Sequence, residues 1–211
     1  MSDRCVSKQT LQRLPAYLSF LRSKSAEGKH VSATNIADAL GLNDVVVRKD
    51  LASVSSLGRP KVGYVRAELI RELEAFLGYD NSQDAVLVGA GKLGQALLSY
   101  DGFPQYGLNI LAGFDRSPAL YDKEVSGKKI FPMEKLPDFC RREGVHIGII
   151  TVPGEYAQGV CDQLIDSGIL AVWNFANAHL SVPEGILVQH ENMAVSLALL
   201  SNHLKEVFST K

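Results

Sequence analysis

Gly89-Ala90-Gly91-Lys92-Leu93-Gly94 carries the most specific chemistry in this sequence, and it follows the apolar run Ala85-Val86-Leu87-Val88 directly. Three glycines at this spacing do three jobs. The first permits a tight turn, the second lets a pyrophosphate approach the backbone, and the third lets a helix lie close to the preceding strand. The helix that opens here presents unpaired N–H groups and a positive dipole end to the phosphates. Asp115, 21 residues after Gly94, closes a second apolar run at residues 109–114. A carboxylate there accepts from both hydroxyls of an adenosine ribose and repels a 2′-phosphate, which favours NADH/NAD+ over the phosphorylated pair. Arg116 pulls the other way, because an adjacent guanidinium accommodates that phosphate. The competing reading is a glycine turn that binds nothing.

Two further apolar runs end at Thr151-Val152-Pro153 and at Asn174-Phe175. The carboxyl ends of strands in an open parallel sheet form the ligand crevice, so these residues suit the nicotinamide half of a dinucleotide. Equally, Pro153 stops a strand and Phe175 belongs to the core.

A second kind of chemistry sits near the N-terminus, in Asp44-Val45-Val46-Val47-Arg48-Lys49-Asp50-Leu51. A helix that reads a DNA groove needs apolar residues inward and basic ones outward. Val47 and Leu51 supply the first, Arg48 and Lys49 the second. Thr34 and Asn35, opening the helix before it, are placed to contact phosphates, and Arg59 and Lys61 stand on a short glycine-rich segment beyond it. The alternative is a small helical dimerisation module with a solvated charge cluster.

Other chemistries lack their residues. Cys5, Cys140 and Cys161 are odd in number and far apart, so they read as ordinary thiols. His30, His146, His179, His190 and His203 include no pair at helical metal-ligand spacing, so no metal is expected. No catalytic residue is assigned either. A nicotinamide enzyme needs a substrate site and an acid or base beside the hydride, yet barely a helix's length of chain follows the last strand. His179 and His190 are the only nearby candidates, and isolated histidines are more often structural. The reading is cofactor binding without turnover.

The elements that position these residues follow from periodicity. Leu11, Leu14, Tyr17, Leu18 and Leu21 give a first helix over residues 7–25, with Pro15 bending or starting it. Ser32 caps a second helix, Gly41 supplies a left-handed turn, and a third runs from Asn43 or Asp44 to about Ser56, which is a helix-turn-helix outline. Residues 59–65 suit a small β-hairpin, or wing, and residues 66–77 an amphipathic helix with Leu69, Leu73, Phe76 and Leu77 on one face. From there strands at 85–88, 109–114, 146–152, 170–175 and 185–188 alternate with helices at 91–100, 134–143 and 155–167, the pattern of a parallel sheet covered on both faces. The last helix, about 191–208, is apolar around more of its circumference than one core stripe needs, as expected if it is buried against a second subunit.

The expected architecture is therefore α/β: an N-terminal winged helix-turn-helix (1–79), a Rossmann parallel-sheet domain (80–190) and a C-terminal exchange helix (191–211). Charge follows this division. The overall net charge of −1 hides 10 Lys+Arg against 5 Asp+Glu in residues 1–65, net +5, and 10 against 15 in residues 80–211, net −5. Only the first part suits a polyanion. No run is long and apolar enough for a membrane span, and Asp3 and Arg4 precede no signal-peptide core, so the expected location is cytoplasmic with no membrane partner.

Arg13-Leu14-Pro15-Ala16-Tyr17-Leu18, Val47-Arg48-Lys49-Asp50-Leu51, Val62-Gly63-Tyr64, the glycine fingerprint, Thr151-Val152-Pro153, Asn174-Phe175 and Ser181-Val182-Pro183-Glu184-Gly185 occur in that order. Together they resemble the Rex family of bacterial NADH-responsive repressors over nearly the whole chain. The resemblance implies a homodimer whose C-terminal helix reaches into its partner. It also implies repression of fermentation and respiration genes, with operator DNA released when NADH is high relative to NAD+, and a cofactor-side role for Tyr100. Two stretches depart from the family pattern. Leu51-Ala52-Ser53-Val54-Ser55 replaces a Leu-Ser-Tyr-Phe-Gly type sequence, and Asn192 stands where the family has a carboxylate tied to redox-dependent interdomain contacts. The runner-up functions are a small NAD-dependent oxidoreductase and a CoA-binding domain protein, which share the nucleotide-binding topology. Asp115 favours NAD over CoA, and neither alternative needs the Arg48-Lys49 helix or the wing.

Overall fold

The computed structural model describes residues 6–23 and 28–209, and Cys5 lies outside them. The chain divides into two compact units, residues 1–81 and 82–211.

In the first unit, α1 (Lys8–Arg22) opens on Ser7, whose hydroxyl accepts from the Thr10 N–H at 3.1 Å. Pro15 lies inside this helix and does not start it. Leu14, Tyr17, Leu18 and Leu21 are buried, whereas Leu11, expected on the same stripe, is 43% exposed at its edge. Ser32 and Asn35 form a reciprocal capping box for α2 (Ala33–Leu40), and Gly41, at φ 64°, ends it in the left-handed conformation. Asn43 caps α3 (Asp44–Val54), which buries Val47, Asp50, Leu51 and Val54.

The wing differs from its expectation. Arg59 and Gly63 exchange backbone hydrogen bonds of 2.8 and 2.9 Å around a tight turn. The following strand, β2 (Tyr64–Val65), does not pair back across that turn. It pairs antiparallel with β1 (His30–Val31), a strand that periodicity cannot reveal because it is two residues long. Gly63, at φ 82°, is required there, since a Cβ would overlap the Val31 carbonyl. α4 (Arg66–Leu77) closes the unit, with Leu69 and Leu73 in the core and the Arg66 Nε donating to the Leu21 carbonyl of α1 at 2.6 Å.

The second unit contains β3 (Gln83–Val88), α5 (Lys92–Leu98), β4 (Leu108–Asp115), β5 (Glu124–Val125), β6 (Lys128–Pro132), α6 (Leu136–Glu143), β7 (Ile147–Ile150), α7 (Gly154–Asp166), β8 (Ala171–Asn174), β9 (Leu187–His190) and α8 (Met193–Ser209). The sheet runs β5-β6-β4-β3-β7-β8-β9 and is parallel except for the β5/β6 hairpin at one edge. Without β5, this is the doubly wound Rossmann order. Alternate residues of β3 serve opposite faces, as strand geometry requires. Val86 and Val88 pack with Leu136, Cys140, Ala157 and Leu164 of α6 and α7, whereas Ala85 and Leu87 pack with Leu98 of α5.

The β5/β6 hairpin is absent from the sequence-based reading because its strands are short and charged at Glu124, Lys128 and Lys129. Its signal is the Ser126-Gly127 pair, both at positive φ. At the other edge Gly185, at φ 93°, belongs to the turn before β9 and not to a strand. No helix among the described residues is long and apolar enough to cross a membrane.

Candidate dinucleotide cleft and nucleic-acid interface

β3 and β7 are neighbours, but the helices that follow them cover opposite faces, so their connecting loops diverge and leave a crevice. Gly89, Gly91, Asp115, Arg116, Thr151, Val152 and Pro153 line it, together with Met133, Tyr156 and Gln163, around a volume of 540 Å3.

Each glycine has a separate geometric reason. Gly89 adopts φ 102°, and a Cβ on it would sit 2.8 Å from Val152 Cγ1. Its carbonyl accepts from the Thr151 hydroxyl at 2.7 Å, which ties the two loops together. A Cβ on Gly94 would overlap the Gly89 carbonyl, so α5 lies directly against the turn. A Cβ on Gly91 would meet nothing within 4 Å, and this residue opens onto free space at the mouth of α5.

Asp115 ends β4 and is held on both oxygens. Oδ2 accepts from the Ala90 N–H and Oδ1 from the Ser117 N–H, each at 2.8 Å. The first bond belts the carboxylate to the glycine loop, a role that spacing alone does not reveal. Each oxygen keeps a second lone pair for a ribose hydroxyl. Next to it the Arg116 guanidinium lies 4.0 Å over the centre of the Tyr156 ring. Tyr156 escaped the sequence reading because nothing in a helical first turn marks one aromatic residue as facing a cleft.

The other expected cofactor residues lie outside this volume. The Ala90 side chain is buried on the α5 side, and Lys92 and Leu93 are exposed on the first turn of α5. Tyr100 packs edge-on against Phe103 at 4.9 Å, Phe103 against Trp173 at 5.8 Å, and Trp173 against Phe175 at 4.8 Å, so Tyr100 and Phe175 end one aromatic row. Asn174 is fully buried. Its Oδ1 accepts from the Ala176 N–H at 2.9 Å, and its Nδ2 donates to the Ala178 carbonyl and to His190 Nδ1, each at 3.0 Å. Its side chain therefore shapes the loop after β8. His179 and His190, dispersed in sequence, stack at 5.8 Å beside it. Asn192 accepts from the Ala194 N–H at 3.0 Å and so caps α8.

Among the described residues no three His, Cys, Asp or Glu side chains gather as a metal site. Cys140 and Cys161 are buried free thiols, and burial pushes the Cys140 pKa up to about 11, which keeps it an unreactive thiol.

In the first unit, Arg48 and Lys49 are exposed on α3, and Arg48 forms an i,i+4 ion pair with Asp44 at 2.9 Å. The Arg48 charge reaches Tyr64 at the base of the hairpin, where it opposes the rise in phenol pKa caused by burial. Thr34, Arg59 and Lys61 are exposed. Asn35 is exposed too, but its Oδ1 is committed to Ser32, which leaves the amide N–H groups as its donors.

Asp50 is not part of a solvated charge cluster. It is buried, and accepts from Arg13 Nε at 2.7 Å, Arg13 Nη2 at 2.9 Å, the Tyr17 hydroxyl at 2.7 Å and the Thr10 hydroxyl at 3.0 Å. The i,i+4 pair Arg13 and Tyr17 is the only trace of this network in the sequence.

Residues 80–178 match a family model described as a CoA binding domain, and residues 5–52 match one described as a putative DNA-binding protein N-terminus. The chain is 42% identical to the redox-sensing transcriptional repressor Rex of Porphyromonas gingivalis over 97% of its length and 94% of that protein. It is 40% identical to the protein of the same name from Bacteroides fragilis, covering 94% and 91%. A crystal structure of RSP in complex with β-NAD+ and operator DNA superposes with a TM-score of 0.90 at 31% identity, covering 98% of this chain and 96% of that one. A structure of the same Rex-family repressor with β-NADH gives a TM-score of 0.87 at 30% identity, covering 97% and 98%. With relatives this similar along almost all of its length, the chain belongs to the Rex family of redox-sensing transcriptional repressors.

Proposed function

We propose that this protein is a redox-sensing repressor that holds operator DNA as a homodimer and leaves it when NADH rises relative to NAD+. The observation that carries the reading is the belt between Ala90 and Asp115 at the mouth of the cleft, in the same chain as a capped helix-turn-helix. The cleft fits the cofactor. Gly91 faces open space where a pyrophosphate needs close backbone approach, and Asp115 is held so that its free lone pairs meet ribose hydroxyls. When bound, the nicotinamide supplies two redox forms that differ by one ring charge. The chain's own residues bind, orient and exclude water; none is assigned a chemical step.

The roles divide by segment: residues 1–79 for DNA, 80–190 for the dinucleotide, 191–211 for the dimer. Arg48 and Lys49 face the DNA groove, with Thr34, Asn35, Arg59 and Lys61 on the flanking phosphates. Gly89, Ala90, Gly91, Lys92, Leu93 and Gly94 hold the pyrophosphate, and Asp115 and Arg116 the adenosine. Thr151, Val152 and Pro153 form the opposite wall, with Tyr100, Asn174 and Phe175 towards the nicotinamide. Such a repressor works beside the chromosome, in the cytoplasm. An oxidoreductase or a CoA-binding protein has no use for the N-terminal unit, and the CoA-domain match spans only the sheet.

Fluorescence anisotropy with a labelled A·T-rich inverted repeat tests the reading. NADH should release the DNA at lower concentration than NAD+. No binding to any such repeat, or release indifferent to both nucleotides, would overturn it.

A further inference from the structure

Asp115 and Arg116 are consecutive at the end of β4 and make opposite demands on the 2′ position of an adenosine ribose. The carboxylate welcomes a hydroxyl and repels a phosphate; the guanidinium attracts a phosphate. Asp115 cannot turn aside, because backbone N–H groups hold both of its oxygens. Selectivity therefore depends on where Arg116 spends its time. Its guanidinium lies 4.0 Å over the Tyr156 ring, on the first turn of α7 across the cleft. Beside this ring contact, the Tyr156 hydroxyl foremost, and behind it Asp115 and Glu155, favour the charged guanidinium, and Glu155 is the residue before Tyr156 on that turn. Attraction thus draws the side chain towards α7.

We propose that Tyr156 is a positioning residue for dinucleotide selectivity: by holding Arg116 on its ring it keeps that cation from the ribose 2′ position, so that the cleft takes NADH and NAD+ and rejects their 2′-phosphorylated counterparts. The inference rests on the cofactor reading above and extends it to a residue that the glycine fingerprint does not include. An exposed cation–π contact biases a population by about two- to five-fold. Removing the ring frees Arg116 for a charge-assisted, bidentate pair with a 2′-phosphate, which adds to that factor.

The test is calorimetric titration of the full chain with NADH and with NADPH, in wild type, Tyr156→Ala, Tyr156→Phe, Arg116→Ala and the Tyr156→Ala/Arg116→Ala double variant. Wild type should prefer NADH. Tyr156→Ala should shift the NADPH/NADH affinity ratio at least about three-fold towards NADPH. Tyr156→Phe keeps the ring face and loses only the hydroxyl, so it should shift the ratio less than Tyr156→Ala, and Arg116→Ala added to Tyr156→Ala should erase the gain. An unchanged ratio in Tyr156→Ala, an equal shift in Tyr156→Phe, or a gain that survives loss of Arg116 would each overturn the proposal while leaving NADH binding intact. Wild type that bound neither nucleotide would overturn the cofactor reading and this proposal together.

Discussion

Asp50 shows how a buried charge sets the direction of its exposed neighbours. Burial alone raises its pKa, but hydrogen bonds from Arg13, Tyr17 and Thr10 outweigh that and hold the carboxyl below the usual carboxylate range. In return, burial and the Asp50 charge push the Tyr17 phenol up to about 12. Replacing Asp50 with Asn leaves the partly exposed Arg13 guanidinium facing a neutral amide and weakens charge-assisted hydrogen bonds worth about 1.5–3 kcal/mol. Denaturant unfolding of Asp50→Asn should show that loss. Because the folded pKa is depressed, the stabilisation is present above the unfolded value of about 3.9 and is lost as pH falls through the lower folded value. The wild-type N-terminal unit should therefore weaken below about pH 4, and Asp50→Asn should flatten that dependence. Arg48→Ala and Lys49→Ala, two and one positions away, should instead weaken operator binding and leave NADH affinity alone. Lys61→Ala, which removes a flanking phosphate contact, should lower the slope of log affinity against log salt by about one, read by anisotropy over a salt series. In the sequence, Arg48, Lys49 and Asp50 look like one charge cluster. Only the fold separates the two that face solvent from the one that fastens α3 to α1.

At the scale of elements, the glycine loop separates binding from folding. Gly91→Val introduces a side chain into open space, so thermal stability should hold while NADH binding is lost by calorimetry. Gly94→Val drives its Cβ into the Gly89 carbonyl and should cost about 1–3 kcal/mol of stability as well as binding. A Gly91→Val protein that still bound NADH would move the pyrophosphate elsewhere. This loop was legible because strand, glycines, helix and carboxylate all constrain one another at short range. β1 was not, since its two residues become a strand only by pairing with Tyr64 and Val65, more than thirty positions later. Asn174 illustrates the same limit within the site: a polar residue ending a strand reads as a ligand contact, and spacing does not reveal that its amide also bonds two backbone groups and His190.

For the whole molecule, the telling element is α8, in which every residue is exposed, including Leu197, Leu199, Leu200, Leu204 and Phe208. Its amphipathic breadth in the sequence suggests a partner, and among the described residues its apolar side chains stay exposed. Leu200→Glu/Leu204→Glu should break up the homodimer proposed above, as read by light scattering, with the sheet unit still folded. Asn192 caps the same helix through its Oδ1, a task that Asp performs equally well. Asn192→Asp should thus keep α8 intact while changing the NADH/NAD+ potency ratio for DNA release, and an identical ratio would remove residue 192 from the sensor.

Immediately before that cap, Glu191 accepts from the indole N–H of Trp173 at 2.9 Å, and Trp173 is the only tryptophan in the chain. Its ring stands between Phe103 and Phe175 on the strand next to the cleft. The molecule thus carries its own optical probe. Indole emission overlaps the absorption band of a reduced nicotinamide but not of an oxidised one. Resonance energy transfer from this single donor will report which redox form is bound, in an unlabelled protein and while DNA release is followed in another colour.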